Sequence, residues 1–247
     1  MSNYLDRMPP NFCLFDTPLV YNFSEASTTV EADLTKIFAD TLVAAKPVNA
    51  VTLVQNHDTQ PGQALYIRLE DWFKPLAYAL ILLRRSGYPV VFYGDLYGIS
   101  GPDEFRGPSC KGKLPDLILA RKLYAYGDDS GYRYFNYRTC IGWVRYGTWD
   151  HPDGCAVVLS NAGPGWKDMD VGKKHKGEIW TDVVRSFYFS IDCSWVGRTR
   201  KSRLVRMESG ALNAALVPSA CTSGKRPKKG SYLGICNNPF YCKADHT

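Results

Sequence analysis

The chain has 247 residues, 45% of them hydrophobic and 13% aromatic, which suits one large or two small globular cores and excludes a disordered or fibrous protein. No apolar stretch approaches the roughly 20 residues of a membrane-spanning helix, and the start M-S-N-Y-L-D-R-M-P-P lacks the basic end and apolar centre of a secretory leader. If Met1 is the natural start, a cytoplasmic protein with no membrane partner is expected. The net charge of +6 is unevenly spread: residues 1–184 carry 19 Lys and Arg against 21 Asp and Glu, and residues 185–247 carry 11 against 3, so the positive excess belongs to the last quarter.

In chain order, the apolar run Phe12 to Phe15 reads as a short buried strand ended by Asp16, a residue placed to fix the following loop, Thr17 to Ser27. Leu34, Ile37, Phe38 and Leu42 recur at helical spacing and predict a helix over 30–42. Ala50 to Val54 is a second strand. Glu70 to Arg85 is a helix with Pro75 in its opening turns and with Trp72, Phe73, Leu76, Leu80 and Leu83 on its inner face. Val90 to Tyr93 is a third strand ended by Gly94-Asp95, and Leu114 to Tyr126 a third helix. Three strand-then-helix units in series imply a parallel sheet, and their unbroken apolar strands imply burial on both faces. From Tyr132 the pattern changes to short strands, Ile141 to Tyr146, Cys155 to Ser160 and Glu178 to Val183, separated by turn residues. The fold class is therefore α/β followed by an antiparallel β domain.

Eight cysteines are too few for a disulfide scaffold at this length, and Cys13, Cys110, Cys140 and Cys155 read as free thiols. Trp143, Trp149 and Trp166 read as sandwich core or loop packing, with sugar-stacking platforms as the sharper reading.

Asn56-His57-Asp58 closes the second strand and is followed by T-Q-P-G-Q, Thr59 to Gln63. A strand that delivers a histidine and a carboxylate at its C-terminal tip resembles the fourth signature segment of the α-amylase superfamily, family 13 glycoside hydrolases. F-C-L-F-D-T-P-L-V-Y-N-F (Phe12 to Phe23), K-P-V-N-A-V-T-L-V-Q-N-H-D-T-Q-P-G-Q (Lys46 to Gln63) and D-W-F-K-P-L-A-Y-A-L-I-L-L-R (Asp71 to Arg84) look like family blocks, as do G-Y-P-V-V-F-Y-G-D (Gly87 to Asp95) and A-R-K-L-Y-A-Y-G (Ala120 to Gly127). In this order they are similar to the cytosolic, liquefying-type α-amylases of fungi and bacteria from about Tyr4 to Val184.

The resemblance implies an eight-stranded β/α TIM barrel with a C-terminal β-sandwich, of which residues 1–127 would supply about the last three β/α units and 128–184 part of the β domain. It implies retaining hydrolysis of α-1,4-glucosidic bonds in starch, glycogen and maltooligosaccharides, with Asp58 as the transition-state stabiliser and His57 and Asn56 binding sugar. Asp95 either faces the glucan cleft or caps the loop that follows it. The nucleophile and general-acid segments of the family precede the block that begins at Phe12 and have no counterpart here. The G-E-I-W at Gly177 to Trp180 comes after the N-H-D segment, the wrong order for the acid. The resemblance therefore makes this chain alone inactive, and the alternatives are a non-catalytic glucan-binding remnant or a truncated gene product. Calcium is common in the family, and the resemblance puts its usual ligands mainly outside this chain.

Residues 185–247 lack hydrophobic period and match none of the family's final strands, so a basic, poorly ordered tail is expected. A rival reading takes Cys221, Cys236, Cys242 and His246 as a zinc site beside a Lys225 to Lys229 patch for nucleic acid; their spacings match no common finger, and no nucleic-acid partner is expected.

Overall fold

The structure is a computed structural model that describes residues 2–100, 105–163, 165–175, 180–184, 204–209 and 214–218. A one-turn helix α1 (Ser2–Leu5) and a short strand β1 (Leu14–Phe15) lead to Asp16, which organises the first third of the chain. Its buried carboxylate accepts the backbone N–H groups of Leu19 at 3.3 Å, Leu42 at 3.0 Å and Val43 at 2.7 Å. As N-cap it starts α2 (Thr17–Thr28), with Pro18 in the first turn, where a missing N–H costs least. The segment expected as a loop is thus a helix. It buries Leu19, Val20, Phe23, Ala26 and Ser27 along one face, and the Asp-Thr-Pro start was its signal in the sequence.

The helix expected over 30–42 is broken in the structure. A 3-10 turn at Leu34–Lys36 and a one-turn helix α3 (Leu42–Ala45) replace it, with Glu31 and Asp40 in the left-handed region at φ +49° and +55°. The side chains of Asp33 and Thr41 take the N–H groups of Thr35 and Ala44, local bonds that compete with a continuous helix. Leu34, Ile37, Phe38 and Leu42 are buried all the same. Their spacing identified core positions and misjudged the backbone that carries them.

Strands β2 (Ala50–Leu53) and β3 (Tyr88–Val90) join β1 in a parallel sheet of order β1-β2-β3, with Phe15 opposite Val51 and Val51 opposite Tyr88. Helix α4 (Lys74–Leu82) connects the last two strands and is buried along its whole length, as expected of a helix apolar all round. The face carrying Ala50 and Thr52 packs against the helices. On the opposite face Phe15, Tyr88 and Val90 of the two edge strands are exposed while Leu53 of the central strand is buried, so the expected two-sided burial holds for β2 and not for its neighbours among the described residues. The third strand ends at Val90 rather than Tyr93, and Gly94 and Asp95 lie inside a short helix α5 (Tyr93–Tyr97). A small hairpin of β4 (Ile99–Ser100) and β5 (Phe105–Arg106) precedes α6 (Leu114–Tyr124), close to its expected span.

The second region is antiparallel. Strands β6 (Cys140–Arg145) and β7 (Cys155–Ser160) are buried at every residue, whereas β8 (Gly165–Asp170) alternates, exposing Trp166 and Asp168 and burying Lys167 and Met169. With β9 (Trp180–Asp182), β10 (Leu204–Ser209) and β11 (Ala214–Pro218) they form a four-stranded sheet of order β6-β7-β11-β9 and a β8-β10 ribbon. The last two strands fall within residues 185–247: β10 pairs with β8, and β11 inserts between β7 and β9. Cys221, Cys236, Cys242, His246 and the Lys225 to Lys229 patch lie outside the described residues, as does Glu178.

The two regions share one hydrophobic core. Ile141, Trp143, Val157 and Leu159 belong to the same cluster as Phe73, Leu76, Leu80 and Leu83, and Trp143 Nε1 donates to the Leu83 carbonyl at 3.2 Å. At the seam the buried Arg84 guanidinium sits 4.7–5.9 Å from the ring centroids of Tyr132, Phe38, Phe135 and Trp143. Burial pulls its pKa down from the ordinary value, and Asp129, 3.9 Å away, opposes that shift. Gly127, at φ +73°, permits a close crossing here, since a Cβ would stand 1.9 Å from the Gly147 carbonyl oxygen.

Candidate functional site

The central strand β2 runs out into Val54, Gln55, Asn56, His57 and Asp58, so the chemistry-bearing residues leave the parallel sheet at its C-terminal end, where open α/β and barrel folds assemble their sites. Asn56 builds the turn. Its Oδ1 accepts the N–H groups of Asp58 at 3.1 Å and Thr59 at 2.9 Å and the Thr59 hydroxyl at 3.0 Å, while its own N–H donates to Thr59 Oγ1 at 3.0 Å. The buried Gln55 closes the arrangement from below, its Nε2 donating to the Thr59 carbonyl at 3.1 Å.

This turn presents His57 and Asp58 outward. Their side chains are 79% and 55% exposed, and His57 Nε2 lies 3.4 Å from Asp58 Oδ1. An exposed imidazole beside a carboxylate on a hydrogen-bonded turn offers a donor and two acceptor oxygens to a polar ligand. Asn56, expected to bind sugar, has its side-chain oxygen engaged within the turn.

Asp95 stands apart from the exposed pair. Its side chain is 3% exposed, and it accepts from Lys74 Nζ at 2.8 Å, Tyr78 OH at 2.6 Å and Ser109 Oγ at 2.5 Å. Burial, reinforced by the Asp95 carboxylate, pushes the Tyr78 hydroxyl pKa up, which keeps it a donor. Asp95 thereby pins α4 to the segment around Ser109. It also borders a cleft of about 410 Å³ that Gln55, Pro61, Asp71, Lys74 and Arg106 help to line, so the pin forms part of a wall next to the β2 turn.

The partners Lys74, Tyr78 and Ser109 went unrecognised in the sequence. A lysine opening the apolar run K-P-L-A-Y-A-L-I-L was the available signal, because a buried ammonium demands a carboxylate. Among the described residues no three His, Cys, Asp or Glu side chains are grouped to hold a metal ion. Cys110, Cys140 and Cys155 are buried free thiols and Cys13 an exposed one.

No protein-family model matches the chain. It is similar to the α-amylase of Bacillus licheniformis, 44% identical over 186 residues, and to the cytoplasmic α-amylase of Escherichia coli strain K12, 45% identical over 192 residues; each likeness covers 74% of this chain. The chain spans only 36% and 38% of those two relatives. Among solved structures, α-amylase I of Eisenia fetida has a TM-score of 0.53 at 12% identity, covering 82% of this chain and 48% of that one. The cyclomaltodextrin glucanotransferase CldA has a TM-score of 0.53 at 16% identity, covering 87% and 51%. At such identities the structural likeness speaks for the fold alone. Along 74% of its length, then, this chain is similar to bacterial α-amylases, and it shares its α/β fold with α-amylase and glucanotransferase structures.

Proposed function

We propose that this chain carries the transition-state-stabilising carboxylate and a sugar-holding histidine of a retaining glycoside hydrolase acting on the α-1,4-glucosidic bonds of starch, glycogen and maltooligosaccharides. The observation that carries the reading is the exposed His57–Asp58 pair at the C-terminal end of a central parallel strand. In this reading residues 1–127 supply the last three β/α units of an eight-fold barrel and the following strands part of its C-terminal β domain, in a subtype close to the liquefying enzymes of fungi. Asp58 accepts hydrogen bonds from hydroxyls of the sugar at the scissile bond and stabilises its oxocarbenium-like charge, while His57 donates to the same ring. A cytosolic location follows by likeness to the E. coli relative.

Retaining hydrolysis needs two further carboxyl groups about 5–5.5 Å apart, one to attack the anomeric carbon and one to protonate the leaving oxygen. By resemblance these belong to segments that precede Phe12 in the family, so the 247-residue chain alone binds glucan and does not cleave it. The test joins the chain to the portion of the B. licheniformis α-amylase that precedes the matched region and measures reducing sugar released from amylose. The hybrid is expected to be active, its Asp58→Asn form to lose on the order of 10²–10³-fold in kcat, and the chain alone to release none. An Asp58→Asn hybrid as active as its parent would refute the assignment. Should the hybrid not fold, maltohexaose titration of the chain, followed through the His57 ring resonances, decides instead: unmoved resonances count against the reading.

A further inference from the structure

The three tryptophans of the β region have different fates. Trp143 is fully buried, Trp149 is 94% exposed on a turn, and Trp166 is 52% exposed on β8 at the rim of a concavity of about 550 Å³. We propose that this concavity, lined by Tyr134, Asn136, Tyr137, Trp166, Lys167 and Asp168, is a second saccharide-binding surface, which takes a short stretch of α-glucan chain. The choice of glucan rests on the function proposed above; the choice of a saccharide rests on the surface itself.

Two large rings, Trp166 and the 63% exposed Tyr137, border the same hollow. A pyranose has one face of C–H groups and a rim of hydroxyls, and a stiff aromatic ring covers the first at little entropic cost. The second needs donors and acceptors held in place. Lys167 is 7% exposed and its Nζ donates to Asn136 Oδ1 at 2.6 Å, which fixes the amide and turns its N–H₂ into a positioned donor. The same ammonium lies 5.8 Å from the Tyr137 ring centroid and steadies that ring. Asp168, exposed two residues along β8 from Trp166, shares its strand face and adds carboxylate acceptors.

The wall is also fixed. Tyr134 OH accepts the Asp170 N–H at 2.8 Å, and Gly165 lets β8 begin close against β6, where a Cβ would stand 2.7 Å from Cys140 Sγ. The buried lysine is committed to Asn136, so it serves to hold that amide rather than an anion such as phosphate.

The test is affinity electrophoresis of the full chain through gels with and without amylose, paired with iodide quenching of tryptophan fluorescence during maltoheptaose titration. Retardation by amylose and protection of Trp166 by maltoheptaose are expected. Trp166→Ala and Tyr137→Ala should each weaken binding about ten-fold, and Trp166→Phe, which keeps a ring, should retain most of it; unchanged circular dichroism verifies the fold of each variant. Retardation that survives both alanine substitutions but falls with Asp58→Asn would overturn this surface and leave the His57–Asp58 reading standing. Retardation lost with Trp166→Ala and not with Asp58→Asn supports the surface whatever the fate of that reading, and a wild-type chain that amylose does not retard overturns it.

Discussion

The parallel and antiparallel sheets look alike as sequence and differ as structure. Both are built of apolar runs, A-V-T-L in β2 and C-A-V-V-L-S in β7. The antiparallel pair β6–β7 is buried at every residue, whereas the parallel sheet leaves Phe15, Tyr88 and Val90 in water on one face. An all-parallel sheet is ordinarily covered on both faces because its crossover connections put helices there. The contrast teaches that an apolar strand states a demand for cover, and that only packing reveals whether the demand is met.

Three experiments probe that contrast. The largest effect should come from Trp143→Ala on β6, which removes a fully buried ring and its hydrogen bond to Leu83, costing about 3–5 kcal/mol. Urea unfolding would measure it, and a loss below about 1 kcal/mol would mean that the antiparallel side is as loosely packed as the open face. A second effect is alkaline. Burial pushes the Cys155 thiol from an ordinary pKa of 9.0 up to about 12, with Arg145 opposing, so between these values the unfolded chain gives up a proton that the folded chain keeps. Stability is full below pH 9 and falls as pH rises toward 12, by up to about 1.4 kcal/mol per pH unit for this group. Cys155→Ala should flatten the slope of an unfolding series over that range, and an unchanged slope would assign it to other groups. The smallest effect should be Phe15→Lys on the open face, within about 0.5 kcal/mol. Static light scattering should then report less self-association, whereas a loss as large as that of Trp143→Ala would show that the face is covered after all.

Much of this was legible in the chain. Ala50 to Val54, the helix from Leu114 and the strands around Ile141 and Cys155 were found nearly in place, because each is a strong local pattern. Residues 17–28 were missed because the polar letters of Thr17, Asn22, Ser24 and Ser27 masked a capped helix whose apolar stripe is only a few residues wide. The segment 30–42 had helical spacing but is governed by capping side chains and two left-handed residues, which periodicity does not register. At the candidate site, the sequence placed His57 and Asp58 just beyond the second strand, and they do follow β2 there, exposed. Asp95 was ambiguous because its partners come from Lys74, Tyr78 and Ser109, up to 21 residues away in the chain, and only folding brings them together.

Arg84 carries a last consequence. Its cation is held by rings from both sides of the change from α/β to β architecture, Phe38 before it and Tyr132, Phe135 and Trp143 after it. A recombination event that exchanged everything after residue 127 would strand that guanidinium without its sheath unless the incoming sequence brought equivalent rings. The two halves of this seam are therefore bound to evolve in step, and grafts across it should succeed only between donors whose aromatic residues agree.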